Sequence, residues 1–125
     1  QERTEMLKTA LAAAPSGFNI VPGVAAYGAA ESRRWTEQAV EMGAKCVMLL
    51  PPTAYRANEE EIIAHYKEVN KVGVPIIAYN NPFDTKVDNT TFQRSPYRFE
   101  NRVLFCAFIQ RFIIGLFIIQ HILAV

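Results

Sequence analysis

The chain is short of the residues on which many simple chemistries depend. Among 125 residues there are two cysteines, two histidines and one tryptophan. Cys46 and Cys106 build neither a disulfide framework nor a four-ligand zinc site. A reducing, cytoplasmic setting is therefore the expectation. There is no surplus of charge of either sign: 13 Lys and Arg stand against 12 Asp and Glu, a formal net charge of +1. Phosphate backbones demand a surplus of Lys and Arg, so nucleic acid is excluded as the main partner. No Gly-x-Gly-x-x-Gly follows a strand-like run and no Gly-x-x-x-x-Gly-Lys-Ser/Thr occurs, so the nucleotide-binding fingerprints are missing. The sequence opens Gln1-Glu2-Arg3-Thr4-Glu5, with no apolar leader and no Met, and we expect that a segment lies upstream of it.

What is present is apolar. Half of the residues are hydrophobic, enough for a core and too many for a disordered chain. The composition divides near residue 90. Residues 1–90 hold nine Lys and Arg against eleven acids, a local charge of −2. Residues 91–125 hold four Arg, no Lys and one acid, Glu100, a local charge of +3, together with six of the eight Phe. Two units are expected, 1–90 and 91–125.

The first unit reads as alternating helices and strands. Met6, Leu7, Ala10, Leu11 and Ala14 recur at helical spacing, and Pro15-Ser16-Gly17 ends that helix. Ile20–Ala25 is a short apolar run bounded by Gly and Pro, which suits a strand. A helix over 31–42 would turn Trp35, Ala39, Val40 and Met42 inward, with Gly43 as a left-handed stop. Cys46–Leu50 is a continuous apolar run ended by Pro51-Pro52, as in a strand covered on both faces. Asn58 followed by Glu59, Glu60 and Glu61 marks a helix start. Ile62, Ile63, Tyr66 and Val69 supply its stripe, and Gly73 closes it. Val74–Asn80 is the third strand. The strand ends at Gly23, Pro51 and Asn80 fall 28 and 29 residues apart. That is a βα period, and it predicts a parallel sheet with right-handed crossovers. Spacing alone leaves an open doubly wound sheet and part of a (β/α)8 barrel both standing.

Several of these residues carry a resemblance. Val21-Pro22-Gly23-Val24-Ala25 with Ala30-Glu31-Ser32, Gly43 to Pro52, Ala64-His65-Tyr66, and Pro75 to Pro82 with its Tyr79-Asn80-Asn81-Pro82 come in order at the right spacing. Together they resemble the dihydrodipicolinate synthase / N-acetylneuraminate lyase family over residues 2–90. The resemblance implies an α/β fold that is part of a (β/α)8 TIM barrel, here about three parallel strands with flanking helices and an apolar C-terminal tail. It implies class I aldolase chemistry, a carbon–carbon or carbon–oxygen lyase in which a Lys forms a Schiff base with a pyruvate-type 2-keto acid. No metal or other cofactor is expected. The partner implied is a small-molecule 2-keto acid, and the full-length family forms homo-oligomers.

Carried over by position, Tyr79 matches the family's strand-five Tyr, a proton relay beside the keto acid. A phenol suits that task because it both donates and accepts a hydrogen bond. The departures are as informative. The family's Schiff-base Lys lies on the sixth strand, and nothing beyond residue 90 matches it; Lys86 sits in a post-strand loop. Thr53-Ala54 stand where the family often has a Tyr pair, with Tyr55 next. Phe83-Asp84 replace the Gly-Arg of synthase members, and an Asp there repels a carboxylate. This favours another keto-acid lyase over dihydrodipicolinate synthesis. The chain is therefore expected to be a piece of such an enzyme, inactive alone.

His65 and His121 read as structural histidines, Cys46 as an inert buried thiol, and Glu59-Glu60-Glu61 as a helix-start charge cluster before a metal site. In the tail, Val103–Val125 is nearly all apolar but broken by Gln110, Arg111, Gln120 and His121. Three readings stay open for it: a membrane-associated segment, a genuine but divergent buried segment, or a foreign sequence from a frameshift or read-through. Residues 91–125 are expected to be helical or poorly ordered. A non-catalytic assembly or membrane-associated module using the tail is the alternative function.

Overall fold

A computed structural model of the chain describes residues 2–80 and the strand at 103–107. The described elements run α1 (Glu2–Ala13), α2 (Ala29–Glu41), β1 (Val47–Leu49), α3 (Glu59–Asn70), β2 (Ile76–Asn80) and β3 (Val103–Ala107). The strands form one parallel sheet in the order β1-β2-β3. Val47, Met48 and Leu49 register with Ile76, Ile77 and Ala78. The step from β1 to β2 passes through α3, the kind of crossover that parallel pairing requires.

Local chemistry sets the helix ends. At the start of α3, the Asn58 side chain accepts from the Glu61 N–H at 2.9 Å, and the Glu61 carboxylate accepts from the Asn58 N–H at 2.8 Å. This reciprocal capping box satisfies two donors that the first helical turn leaves open. At the end of α2, the Gly43 N–H reaches Val40 O and the Ala44 N–H reaches Ala39 O, both at 2.9 Å. That bond pair needs a left-handed residue, and Gly43 has φ 104°. Gly73, φ 82°, turns the chain after α3 towards β2 in a similar way.

The core lies on one face of the sheet. Val47 and Leu49 of β1, Ile76 and Ala78 of β2, Ala39 of α2, and Ile62, Tyr66 and Val69 of α3 bury one another. The helices are also tied across their outer surface. Arg33 on α2 meets Glu68 on α3 at 2.6 Å, and Glu68 also pairs with Lys71. Such partly exposed pairs contribute at most about 1 kcal/mol each.

Four expectations change. Ile20–Ala25 is not a strand of its own and joins the sheet through a single bridge, Gly23 to Met48. Met48 N–H donates to Pro22 O and Val24 N–H to Met48 O, both at 2.9 Å. Pro22 presents its carbonyl to β1 but has no N–H to return, so the ladder stops there. On α2 the buried residues are Ser32, Thr36 and Ala39, while Val40 is 37% exposed. The two hydroxyls are accommodated because Ser32 Oγ accepts from Ala26 N–H at 3.1 Å and Thr36 Oγ1 donates to Ser32 O at 2.8 Å. The stripe on α1 is largely uncovered, with Met6 73% exposed and Leu7 packed against the core edge. Arg3 ties α1 down instead, donating to Ala25 O at 3.2 Å and lying 5.0 Å from the Trp35 ring centroid, close enough for a cation–π attraction.

The fourth change concerns the tail. Composition predicts a helical or poorly ordered segment, yet Val103–Ala107 is a strand. It lies parallel to β2 with Ile76 registered to Val103 and Asn80 to Ala107. The β2 edge offers a row of backbone donors and acceptors, and a β-branched and aromatic run such as Val-Leu-Phe-Cys-Ala suits it. The remainder of 103–125, including His121, lies outside the described residues. Among the described residues no helix is long and apolar enough to cross a membrane.

Replacing Asn58 with Ala removes the capping box, and the expected loss is about 1 kcal/mol of stability. Urea denaturation of the whole chain measures it. A loss far smaller than this would contradict a stabilising role for the cap.

Candidate functional site

Strand alternation decides where Tyr79 lies. Along β2 the burial runs buried, half-buried, buried, half-buried, buried, from Ile76 to Asn80. Ile76 and Ala78 belong to the helix-covered core, so Ile77 and Tyr79 take the opposite face. In β1, Met48 is likewise half-buried between buried Val47 and Leu49, and it registers with Ile77. Met48, Ile77 and Tyr79 thus share the face that the helices leave uncovered. Tyr79 is the next to last residue of β2, at its carboxyl end. Its Cα partner on β3 is Cys106. Asn80 is fully buried, on the helix side.

The other sequence candidates are not brought to this place. His65 is on α3 and 5% exposed. Cys46 is buried, and burial raises its thiol above the usual range, which leaves it protonated and unreactive. Glu61 is held in the capping box, and no group of three metal-ligating side chains occurs among the described residues. Thr53, Ala54 and Tyr55 sit in an exposed loop after β1. Lys86 and Phe83-Asp84 lie outside the described residues. A hollow between α1, α2 and the segment at 20–24 is lined by Leu7, Ala10, Trp35, Ala39 and Met42. None of its lining comes from β2, so it is separate from Tyr79.

Sequence reasoning missed one arrangement near this strand end. Tyr66 reaches from α3 to donate to Leu49 O at 3.0 Å, and His65 bonds the backbone of Leu50. Helical spacing puts Tyr66 in an apolar stripe and leaves His65 a structural residue. Nothing in that spacing says which carbonyls they meet.

A half-buried phenol at the carboxyl end of a parallel strand, on the face away from the helices, has the placement of a barrel active-site group. The sequence pattern of the Dihydrodipicolinate synthetase family matches residues 1–94. The chain belongs to that family. It is similar to the 4-hydroxy-tetrahydrodipicolinate synthase of Jannaschia sp. (strain CCS1), 29% identical over 90 residues, which are 72% of this chain and 31% of that protein. It is 29% identical over 85 residues to the N-acetylneuraminate lyase of Rhizobium meliloti (strain 1021), covering 67% of this chain and 28% of that protein. The chain therefore spans about a third or less of the relatives it matches.

Among solved structures it is similar to the chloride-inhibited dihydrodipicolinate synthase from Acinetobacter baumannii complexed with pyruvate. The TM-score is 0.72 at 28% identity, over 85% of this chain and 37% of that chain. The structural neighbours in this family are TIM barrels. A likeness over 85% of the chain reaches past residue 94, where the family's sequence pattern ends.

Two measurements test the packing at this strand end. Tyr66→Phe removes the bond to Leu49 O, and the expected cost is about 1 kcal/mol by urea denaturation. His65 also makes stability depend on pH. Burial lowers its pKa below the ordinary 6.5, so the unfolded chain binds the proton more readily. Stability is then complete above about pH 6.5 and falls as pH drops from there towards the folded value. Glu68, lowered by Lys71 and Arg33, acts only below its ordinary 4.5. A urea midpoint unchanged between pH 7.5 and 5 would contradict this role of His65.

Proposed function

We propose that this chain is a segment of a class I aldolase-type lyase acting on a pyruvate-like 2-keto acid. In such an enzyme a Lys amine forms an imine with the keto carbon, and the imine draws electrons from the adjacent carbon–carbon or carbon–oxygen bond. The observation that carries the reading is the position of Tyr79, on the uncovered face at the carboxyl end of β2 within a matched family segment. Its hydroxyl donates and accepts in one place, so it holds the keto acid's oxygen side and passes a proton there. Phe83-Asp84 in place of a Gly-Arg pair turns the reading away from dihydrodipicolinate synthesis, because a carboxylate repels an acidic substrate arm.

The amine is not in this segment. β3 lies next after β2, where the resemblance puts the lysine-bearing strand, and it reads Val103-Leu104-Phe105-Cys106-Ala107 with no Lys. The residue registered with Tyr79 is Cys106. Imine chemistry is therefore lost from this chain taken alone. We place the composition change near residue 90 at the end of the family-like sequence, while the sheet continues into β3. The full-length enzyme is a homo-oligomer, and a reducing cytoplasmic setting suits the free thiol of Cys46.

Borohydride reduction in the presence of pyruvate tests the reading directly. The expected result is no stable adduct on any lysine of the chain, by intact mass and peptide mapping. A stoichiometric adduct, at Lys86 or elsewhere, would show that this chain carries its own amine.

A further inference from the structure

Two adjacent side chains of α3 hold two adjacent carbonyls at the end of β1. Tyr66 donates its hydroxyl to Leu49 O at 3.0 Å, and the His65 ring bonds the backbone of Leu50. The two rings meet edge to face, with centroids 5.7 Å apart and planes at 85°. Immediately downstream come Pro51 and Pro52, both buried and neither with an N–H. One step beyond the Leu49–Ala78 pair, the register brings Leu50 level with Tyr79. The strand end that α3 holds is thus the one beside Tyr79.

The two holders differ in one respect. Burial pushes the Tyr66 phenol far above its usual range, so it keeps its proton at any ordinary pH. His65 exchanges its proton near neutrality. Its Nε2 is buried and has no hydrogen-bond partner among the described residues, so the bond to Leu50 comes from Nδ1.

We propose that His65 and Tyr66 form a clamp on the end of β1, and that protonation of His65 opens it, releasing the rim segment 51–57 beside Tyr79. In the neutral ring, Nδ1–H donates to Leu50 O and Nε2 turns a lone pair to apolar surroundings at little cost. A proton on Nε2 adds a charge and a donor with no acceptor, in a place closed to water. The ring relieves this by moving towards solvent, which breaks the bond to Leu50. The prolines that follow have no donors with which to rebuild the turn.

Among the described residues, no neighbouring charge offsets the proton. β1 carries no ionisable side chain. On α2 and α3, Arg33, Glu37, Glu68 and Lys71 are engaged in one surface network, and Glu61 is held in the capping box. Burial and the Leu50 bond are the causes that act on His65, with no charged group among them. The clamp does not depend on the chain handling a keto acid, so its failure and the failure of the proposed function are separate results.

The test is a pH titration of the whole chain by NMR from pH 8 to 5. It follows the His65 ring, the carbonyl carbons of Leu49 and Leu50, and the amides of Thr53 and Ala54. The expected result is one shared midpoint, below 6.5, for His65, Leu50 and the two loop amides. His65→Gln can still donate to Leu50 O but does not titrate, and it is expected to flatten the Leu50 and loop profiles. Tyr66→Phe is expected to move the Leu49 carbonyl at every pH and to leave the pH profile of Leu50 in place. A Leu50 carbonyl that stays still while His65 titrates, or that moves equally in His65→Gln, would overturn the proposal. If His65→Gln fails to fold, agreement or disagreement of the parent chain's midpoints decides alone.

Discussion

A parallel strand pair sits inside a protein only when both of its faces are covered, and the described residues cover one. β1 and β2 hydrogen-bond along their length, and Val47, Leu49, Ile76 and Ala78 disappear under α2 and α3. Met48, Ile77 and Tyr79 face the other way and stay half-exposed. This one-sidedness explains both the stability of the segment and its chemistry. The covered face holds the helices to the sheet. The uncovered face is where a family barrel has its interior, and it is the face that presents the phenol.

The helices do more than cover. α3 is started by its own cap, runs down the sheet, and with Tyr66 and His65 fixes the last carbonyl of β1 and the one after it. Strand end and helix are joined by hydrogen bonds that water cannot easily replace, because both side chains are buried. The loop leaving β1 starts from this fixed point. Geometry at the carboxyl end of the sheet therefore depends on a helix that has no residue in the candidate site.

Features decided by a few neighbouring residues are legible in the sequence. Asn58 with Glu61, Gly43 and Gly73 each solve a local backbone problem, and each solution is visible within a few positions. β1, β2 and the place of Tyr79 at a strand end follow from apolar runs at a βα period together with the family resemblance. Features decided by distant partners are not legible in this way. Ile20–Ala25 resembles a strand until Pro22 is asked for an N–H in a ladder. Ser32 and Thr36 look solvent-facing until Ala26 and the helix backbone supply their bonds. Met6 looks buried until α1 is found to have little to pack on. The strand at 103–107 is hidden for a similar reason, since its apolar run fits strand or helix and only the free edge of β2 chooses.

The central claim is that β1 and β2 run parallel with Tyr79 turned away from the helices at the carboxyl end. Interstrand nuclear Overhauser contacts test it most directly. The account predicts contacts linking Val47 with Ile76 and Leu49 with Ala78, and contacts from the Tyr79 ring to Ile77 and Met48. Pairing of Val47 with Ala78 in the antiparallel sense, or contacts from the Tyr79 ring to Ile62 and Val69 on α3, would contradict it.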